Sequence, residues 1–351
     1  MKGTRRSASG WMVSAIVTVL ASWLLALPLQ VNGQNTCSGS QGQNGVYNAT
    51  CNNNAPGVVG SNAFIDASMF GNNSTDICAV LYGILKNIVP TTTGAVIDAR
   101  GLPGSTGTSM TCATGTTPWN NGTTYVAVPS TILLPAGTIQ IPATWVLPNN
   151  TRLVGEGENN PLSSTPGTTI QAAVPSLPSM IQFGPSSSAC TSSGCSGISV
   201  ERLTLDGRSQ SIDGIINQLS QNNTYVDHVT LYQILGTGLL VSSTTGGSAS
   251  NSGPYTNITF DTGGYSGTTS TVCAQISNNV SGGNLTGTKG IHGLRCTSET
   301  NDAPAAVLLD ASNNSIEDVK IVGFYDGVLV GANATPPQQP LRMGHPQPIK
   351  A

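Results

Sequence analysis

Charge is what this sequence has least of. Only 8% of its 351 residues are Asp, Glu, Lys or Arg, against roughly 25% in an average globular protein. Exposed helix faces are usually carried by Glu and Lys, so a surface this poor in charge is not a helical one. Aromatic residues are scarce too, at 5%. No basic patch with interleaved aromatics is present, which argues against a nucleic-acid partner. No Cys-x-x-Cys spacing and no histidine cluster occurs, so the sequence names no metal.

What is abundant is Gly (42) and Pro (21), with Ser, Thr and Asn supplying most of the polarity. These residues punctuate short strands. The clearest stretch is 131–157, TILLPAGTIQIPATWVLPNNTRLVGEG. Four- and five-residue apolar or alternating runs are broken there by Pro135, Pro142, Pro148 and Asn149-Asn150, and the last ends at Gly155 and Gly157. Strands so short cannot each build a core, but they can stack if the chain winds in a coil.

A repeat supports the coil. Segments beginning near 198, 223, 253, 289 and 314 align without gaps. The first apolar column is Val200, Val226, Tyr255, Ile291 and Ile316. The second is Leu203, Val229, Ile258, Leu294 and Val319, and the third is Leu205, Leu231, Phe260, Cys296 and Ile321. Their intervals of roughly 25–36 residues, most followed by a second strand such as TGLLV or AAVLLD, fit a parallel β-solenoid. A β-sandwich also supplies many short strands, but it has no reason to repeat one in-register column.

Ahead of the coils, Ser74-Thr75-Asp76 is a helix start. Ile77, Val80, Leu81, Ile84, Leu85 and Ile88 follow at helical spacing, and Pro90 stops them. An amphipathic helix here would cover the first open end of a solenoid. Residues 1–33 read as a signal peptide: Lys2, Arg5 and Arg6, an apolar run over 11–29, and small residues before Gln34. An uncleaved anchor or a twin-arginine signal is the alternative. Cleavage takes the basic count from 13 to 10 against 16 acidic residues, a net charge of −6. Residues 34–73 form an Asn/Gly-rich arm.

The eight cysteines, Cys37, Cys51, Cys78, Cys112, Cys190, Cys195, Cys273 and Cys296, suit disulfides in an exported chain. Sequential pairing is the simplest connectivity and would close a short loop at Cys190–Cys195. Asn-x-Ser/Thr sequons recur, as at Asn121, Asn222 and Asn257.

The segment GTIQIPATWVLPNNTRLVGEG, with a helix before it and stacked coils after it, resembles the pectate-lyase-like superfamily. It is most similar to the branch described as pectate lyase superfamily or glycoside hydrolase family 28-related proteins. The resemblance spans residues 77–331. It implies an all-β, right-handed parallel β-helix with an N-terminal capping α-helix, over 74–331. It also implies secretion (periplasmic, extracellular or cell-surface) and a polysaccharide ligand. It leaves the chemistry open, because such scaffolds host lyases, hydrolases, esterases and non-catalytic adhesins.

The catalytic signatures of these proteins are mostly missing. Asn-Thr-Asp, Asp-Asp, Gly-His-Gly and Arg-Ile-Lys, carried by polygalacturonases of this fold, do not occur. Ile291-His292-Gly293 and Val319-Lys320-Ile321 resemble the last two only distantly. Tyr225-Val226-Asp227-His228 resembles the Trp-Ile-Asp-His segment of pectate lyases, whose Arg-x-Pro-x-x-Arg segment is absent.

The repeat still yields candidates. If Leu203 and Leu205 point inward, Thr204 and Asp206 point outward. The equivalent outward pairs are Thr230 with Tyr232, Thr259 with Asp261, Arg295 with Thr297, and Lys320 with Val322. Asp206 and Asp261 then lie two rungs apart, roughly 9–10 Å, at the upper edge of the range for inverting glycoside hydrolysis. Asp206, Asp261, His228, Arg295 and Lys320 are the catalytic candidates, and Tyr232, Thr230 and Thr259 the substrate-binding ones. No cofactor is fixed; a lyase would call for Ca²⁺ held by acidic groups. The bland alternative is a solvated β-face, with His228 a structural turn residue and Glu201, Asp227 and Glu317 accepting hydrogen bonds at a corner.

The expected protein is a monomer that meets a polysaccharide and, once its leader is cleaved, no membrane. A non-catalytic, adhesive or glycan-binding β-helix is the rival reading. Residues 332–351 are rich in Pro and carry no strand pattern. They read as an irregular tail across the last coil or a truncated end.

Overall fold

The computed structural model describes residues 38–41, 47–50, 63–70, 75–89, 91, 94–102, 109–158, 167–184, 190, 195–244, 247–248, 252–265, 270–277, 290–299, 303, 305–310 and 314–330. They belong to one compact unit, Ser38–Thr50 with Gly57–Ala351. The expected leader, Cys37, Cys51 and the Pro-rich tail lie outside the described residues.

The described chain is overwhelmingly β, and its two large sheets are parallel. One has fourteen strands and the other seven. In the larger sheet one file runs through Ala63–Asp66, Ala95–Asp98, Ser130–Leu133, Thr151–Val154, Ser199–Gln210, Tyr225–Ile234, Tyr255–Asp261, Ile291–His292 and Ile316–Glu317. Beside it, Met110–Thr111, Gly137–Ile141 and Thr168–Ala172 lead into the second halves of the two longest strands, and Arg295–Thr297 and Lys320–Val322 continue that line. The smaller sheet stacks Trp145–Leu147, Ser179–Phe183, Asp213–Asn217, Thr237–Val241, Val272–Ile276, Ala305–Leu309 and Asp326–Val330. From Trp145–Leu147 onward each pass of the chain adds a strand to both sheets, an all-β arrangement consistent with a parallel solenoid.

The register bears out the repeat. Val200 lies opposite Val226, Val226 opposite Tyr255, Tyr255 opposite Ile291 and Ile291 opposite Ile316. Leu205, Leu231, Phe260, Cys296 and Ile321 form the parallel column. Apart from the two residues of the last coil, these side chains are buried. Each buried Leu, Ile or Phe contributes about 1.5–3 kcal/mol by leaving water, so the stacked columns supply the stability that no single strand has.

One polar group of the interior anchors a small hydrogen-bond network. Tyr255 Oη accepts from Asn217 Nδ2 at 2.8 Å and lies 2.7 Å from Ser252 Oγ. Burial pushes the Tyr255 hydroxyl up to about 12, so it stays a neutral donor within this network.

The expected helix spans Ile77–Asn87. Asp76 is its N-cap and accepts from Ala79 N at 2.9 Å, an arrangement that satisfies an otherwise orphaned donor. Its apolar face joins the same core as Ala95 and Ile97. One expectation is corrected: the stack does not start after the helix. Ala63–Asp66, within the segment read as an irregular arm, already pairs in parallel with Ala95–Asp98. A four-residue strand among Asn and Gly has too few alternations to stand out.

Three disulfides join Cys78 to Cys112, Cys190 to Cys195 and Cys273 to Cys296, as sequential pairing requires. The first ties the helix to the sheet, and the third ties one coil to the next. They fit an oxidising compartment. Among the described residues no helix is long and apolar enough to cross a membrane.

Candidate functional site

Two outward columns lie on the larger sheet. The first is the expected ladder, now longer at both ends: Gln140, Gln171, Asp206, Tyr232, Asp261 and Thr297 in direct register. All six are half-exposed. Gln171 accepts from Gln140 Nε2 at 3.4 Å and donates to Asp206 Oδ2 at 2.8 Å. Arg208 N donates to Asp206 Oδ1 at 2.8 Å, and Gly263 N to Asp261 Oδ1 at 2.7 Å. These turn amides aim the two carboxylates along the ladder.

Tyr232 stands between those carboxylates, one rung from each. Partial burial raises its hydroxyl above the usual tyrosine value, and the negative charges of Asp261 and Asp206 push in the same direction. The turn after Asp261 brings Gly263 against the Tyr232 ring, so closely that a Cβ there would lie 2.8 Å from ring carbons. Gly263 also has a left-handed φ of 65°, so a side chain is excluded on two counts. The same turn carries Tyr265, 49% exposed, an aromatic that the repeat pattern did not single out because it sits outside the aligned columns.

The second column holds Thr138, Thr169, Thr204, Thr230, Thr259, Arg295 and Lys320. It points outward as expected, but its middle is not open to solvent. Thr204 is 2% and Thr230 7% exposed. This corrects the expectation that Thr230 lies ready for substrate. Its Oγ1 donates to Glu158 Oε2 at 2.9 Å. Thr259 remains half-exposed, and Arg295 and Lys320 are exposed neighbours on the last coils.

Glu158 is the residue that sequence reading missed. The segment leaving Thr151–Val154 runs over the neighbouring coil. Gly155 N and Gly157 N donate to the carbonyls of Glu201 and Arg202. A Cβ on Gly155 would lie 2.3 Å from the Arg202 carbonyl oxygen, so only glycine lets the segment descend here. Burial raises the Glu158 carboxyl above the usual value; the Thr230 hydrogen bond and nearby His228 oppose that shift, and Asp227 adds to it. The available signal was Glu156 and Glu158 alternating with Gly155 and Gly157, in a chain with little charge.

His228 has a backbone reason for its place. It adopts a left-handed φ of 52°, as do Arg202 (55°), Asn257 (53°), Gly293 (70°) and Asp318 (50°) at the same point of their coils. The strand turns a corner there, and only glycine, or polar residues that tolerate this region, suit it. His228 therefore lies within the strand Tyr225–Ile234. Its Nδ1 is 2.9 Å from Asp227 Oδ2, and its side chain is 56% exposed. Asp227 also accepts from Thr256 Oγ1 at 2.5 Å and Asn257 Nδ2 at 3.1 Å. Burial raises the Asp227 carboxyl, but these donors and His228 outweigh it and hold it below the ordinary value.

Nearby, Glu201 accepts a bidentate pair from Arg152 and further bonds from Ser199 and Tyr225. The expected corner acceptors Glu201 and Asp227 are thus in place. A shallow depression of 290 Å³, lined by Val96, Thr131, Asn150 and Arg152 among others, lies on the earlier coils and not at the ladder. Among the described residues no three His, Cys, Asp or Glu side chains converge as a metal site would need.

Comparison with protein-family models, curated proteins and solved structures returned no match.

Proposed function

We propose that this protein is an exported right-handed parallel β-helix of the pectate-lyase-like type, and that its outward ladder binds and hydrolyses a polysaccharide. The observation that carries this reading is the unbroken register of Gln171, Asp206, Tyr232, Asp261 and Thr297. Amide, carboxylate and hydroxyl groups recur there at the inter-strand step, with Tyr232 and Tyr265 as apolar surfaces for sugar rings. A linear polymer laid along the stack meets a polar group at each rung.

Asp206 and Asp261 flank Tyr232 at two inter-strand steps, about 9.6 Å, close to the roughly 6.5–9.5 Å separation that leaves room for a water between two carboxyl groups. Elimination assisted by Ca²⁺ asks more of this ladder. That ion takes 6–8 oxygen ligands, whereas the described acidic groups do not converge in threes. Arg295 or Lys320 would be the base of such a lyase, and both stand exposed beyond Asp261.

A panel of plant and microbial polysaccharides, incubated with and without Ca²⁺, tests the reading. Reducing ends without unsaturated products are expected, lost in the Asp206→Ala/Asp261→Ala double variant. Unsaturated products would instead establish a lyase. A second reading, a glycan-binding face without turnover, draws on the lateral hydrogen bonds that Gln140, Gln171 and Asp206 make to one another. Glycan-array binding with no product from any polysaccharide would select it.

A further inference from the structure

Glu158 has no role in a ladder made only of strand residues, yet it is bonded to one residue of the neighbouring column. It lies 72 residues before Thr230 in sequence, and its Oε2 accepts from the Thr230 hydroxyl. The segment that carries it is tied by main-chain hydrogen bonds from Gly155 and Gly157 to Glu201 and Arg202, and the carboxyl group itself is held by the Thr230 hydroxyl. Bonded to Thr230, it stands beside the ladder on the corner side.

Its position relative to the two ladder carboxylates follows from the register. Thr230 is one outward step along the strand from Tyr232, and Tyr232 lies opposite both Asp206 and Asp261. An outward step spans about 6.7 Å and an inter-strand step about 4.8 Å, so Thr230 sits about 8 Å diagonally from each Asp backbone. Glu158, bonded to the Thr230 hydroxyl, therefore stands beside both ladder carboxylates. The two aspartates differ in what they touch. Both oxygens of Asp206 are engaged, by Gln171 and by Arg208 N. Asp261 Oδ1 accepts from Gly263 N, and its Oδ2 has no partner among the described residues.

We propose that Glu158 is the proton donor of the groove, acting across Thr230 with Asp261 as the carboxylate that activates water, while Asp206 holds substrate hydroxyls. The inference rests on the hydrolytic reading above. In the step, Asp261 removes a proton from water as the water oxygen bonds to the anomeric carbon. The bond from that carbon to the glycosidic oxygen breaks, and the departing oxygen takes the proton of Glu158. One water is consumed, nothing is oxidised or reduced, and solvent restores the two carboxyl groups. Burial of Glu158, which favours its protonated form, suits the donor role.

The test compares wild type, Glu158→Gln and Glu158→Ala on the polysaccharide that responds in the panel and on the 2,4-dinitrophenyl glycoside of its sugar. Native folding is checked by circular dichroism and Tm. The expected result is a roughly 10²–10⁴-fold fall in kcat on the polysaccharide with little change in KM. The fall should be much smaller on the aryl glycoside, whose leaving group needs no proton. The alkaline limb of the wild-type pH profile should disappear in both variants. Folded variants with near-wild-type kcat on the polysaccharide, or with equal losses on both substrates, would overturn the role of Glu158 and leave the hydrolytic groove standing. A wild-type protein that releases no sugar from any substrate overturns both together.

Discussion

Along residues 203–206, 229–232 and 258–261, positions that alternate by one residue meet opposite surroundings. Leu203, Val229 and Ile258, with Leu205, Leu231 and Phe260, are sealed in the stack at 0% exposure. Their outward neighbours divide again. Thr204 and Thr230 are buried, Thr230 against Glu158, whereas Asp206, Tyr232 and Asp261 stay half-open. The inward face is uniform because each coil must present the same apolar cross-section to the next. The outward face is free of that constraint, so its variety has to be explained by what it touches: a covering segment, a turn amide or a ligand.

The difference can be broken at adjacent residues. Phe260→Ala is expected to cost about 3–5 kcal/mol in chemical denaturation, since it empties a stacked position between coils. Asp261→Asn, one residue on, should cost about 0.5 kcal/mol or less while removing turnover. Equal losses of stability would mean that Asp261 is a structural residue.

Replacing Cys273 and Cys296 together by Ser comes next, at about 2–4 kcal/mol. This bond crosses from one coil to the next, so the loss should appear as a lower denaturation midpoint than that of the wild type without reductant.

The corner column sharpens the contrast further, because it is outward yet set by backbone. His228→Val should cost about 1–2 kcal/mol, the price of forcing a β-branched residue into left-handed geometry. His228→Gly should be nearly neutral in Tm. Activity that survives both would assign His228 to the corner alone.

The smallest effect concerns pH, and the two corner carboxylates should move in opposite directions. The Glu158 value is raised on folding. Its contribution to stability is therefore present in acid, below the unfolded value, and lost as pH rises through the folded value. Glu158→Gln should thus gain slightly on wild type as pH rises above the ordinary glutamate value. Asp227 is lowered, so its contribution holds above the unfolded value and fades as pH falls through the folded one. Asp227→Asn should accordingly be destabilising at neutral pH and lose that penalty in acid. Urea denaturation at several pH values reads both slopes.

The sequence by itself determined which residues point inward. Val200, Val226, Tyr255, Ile291 and Ile316 are aligned by a repeat and a two-residue alternation, both local properties of the chain. The helix over Ile77–Asn87 was legible for the same reason, since its period and its Asp76 cap lie within a dozen residues. The order Gln171, Asp206, Tyr232, Asp261 followed once the repeats were aligned, because parallel stacking converts alignment into contact.

Only the tertiary structure decided that Thr230 is covered, that Glu158 covers it, and that the corner at Arg202, His228 and Asn257 is left-handed. The first two depend on a contact between residues 72 apart in the chain, for which no local period exists. The third depends on backbone geometry that Arg, His, Asn, Gly and Asp can all adopt, so no single residue type marks the column.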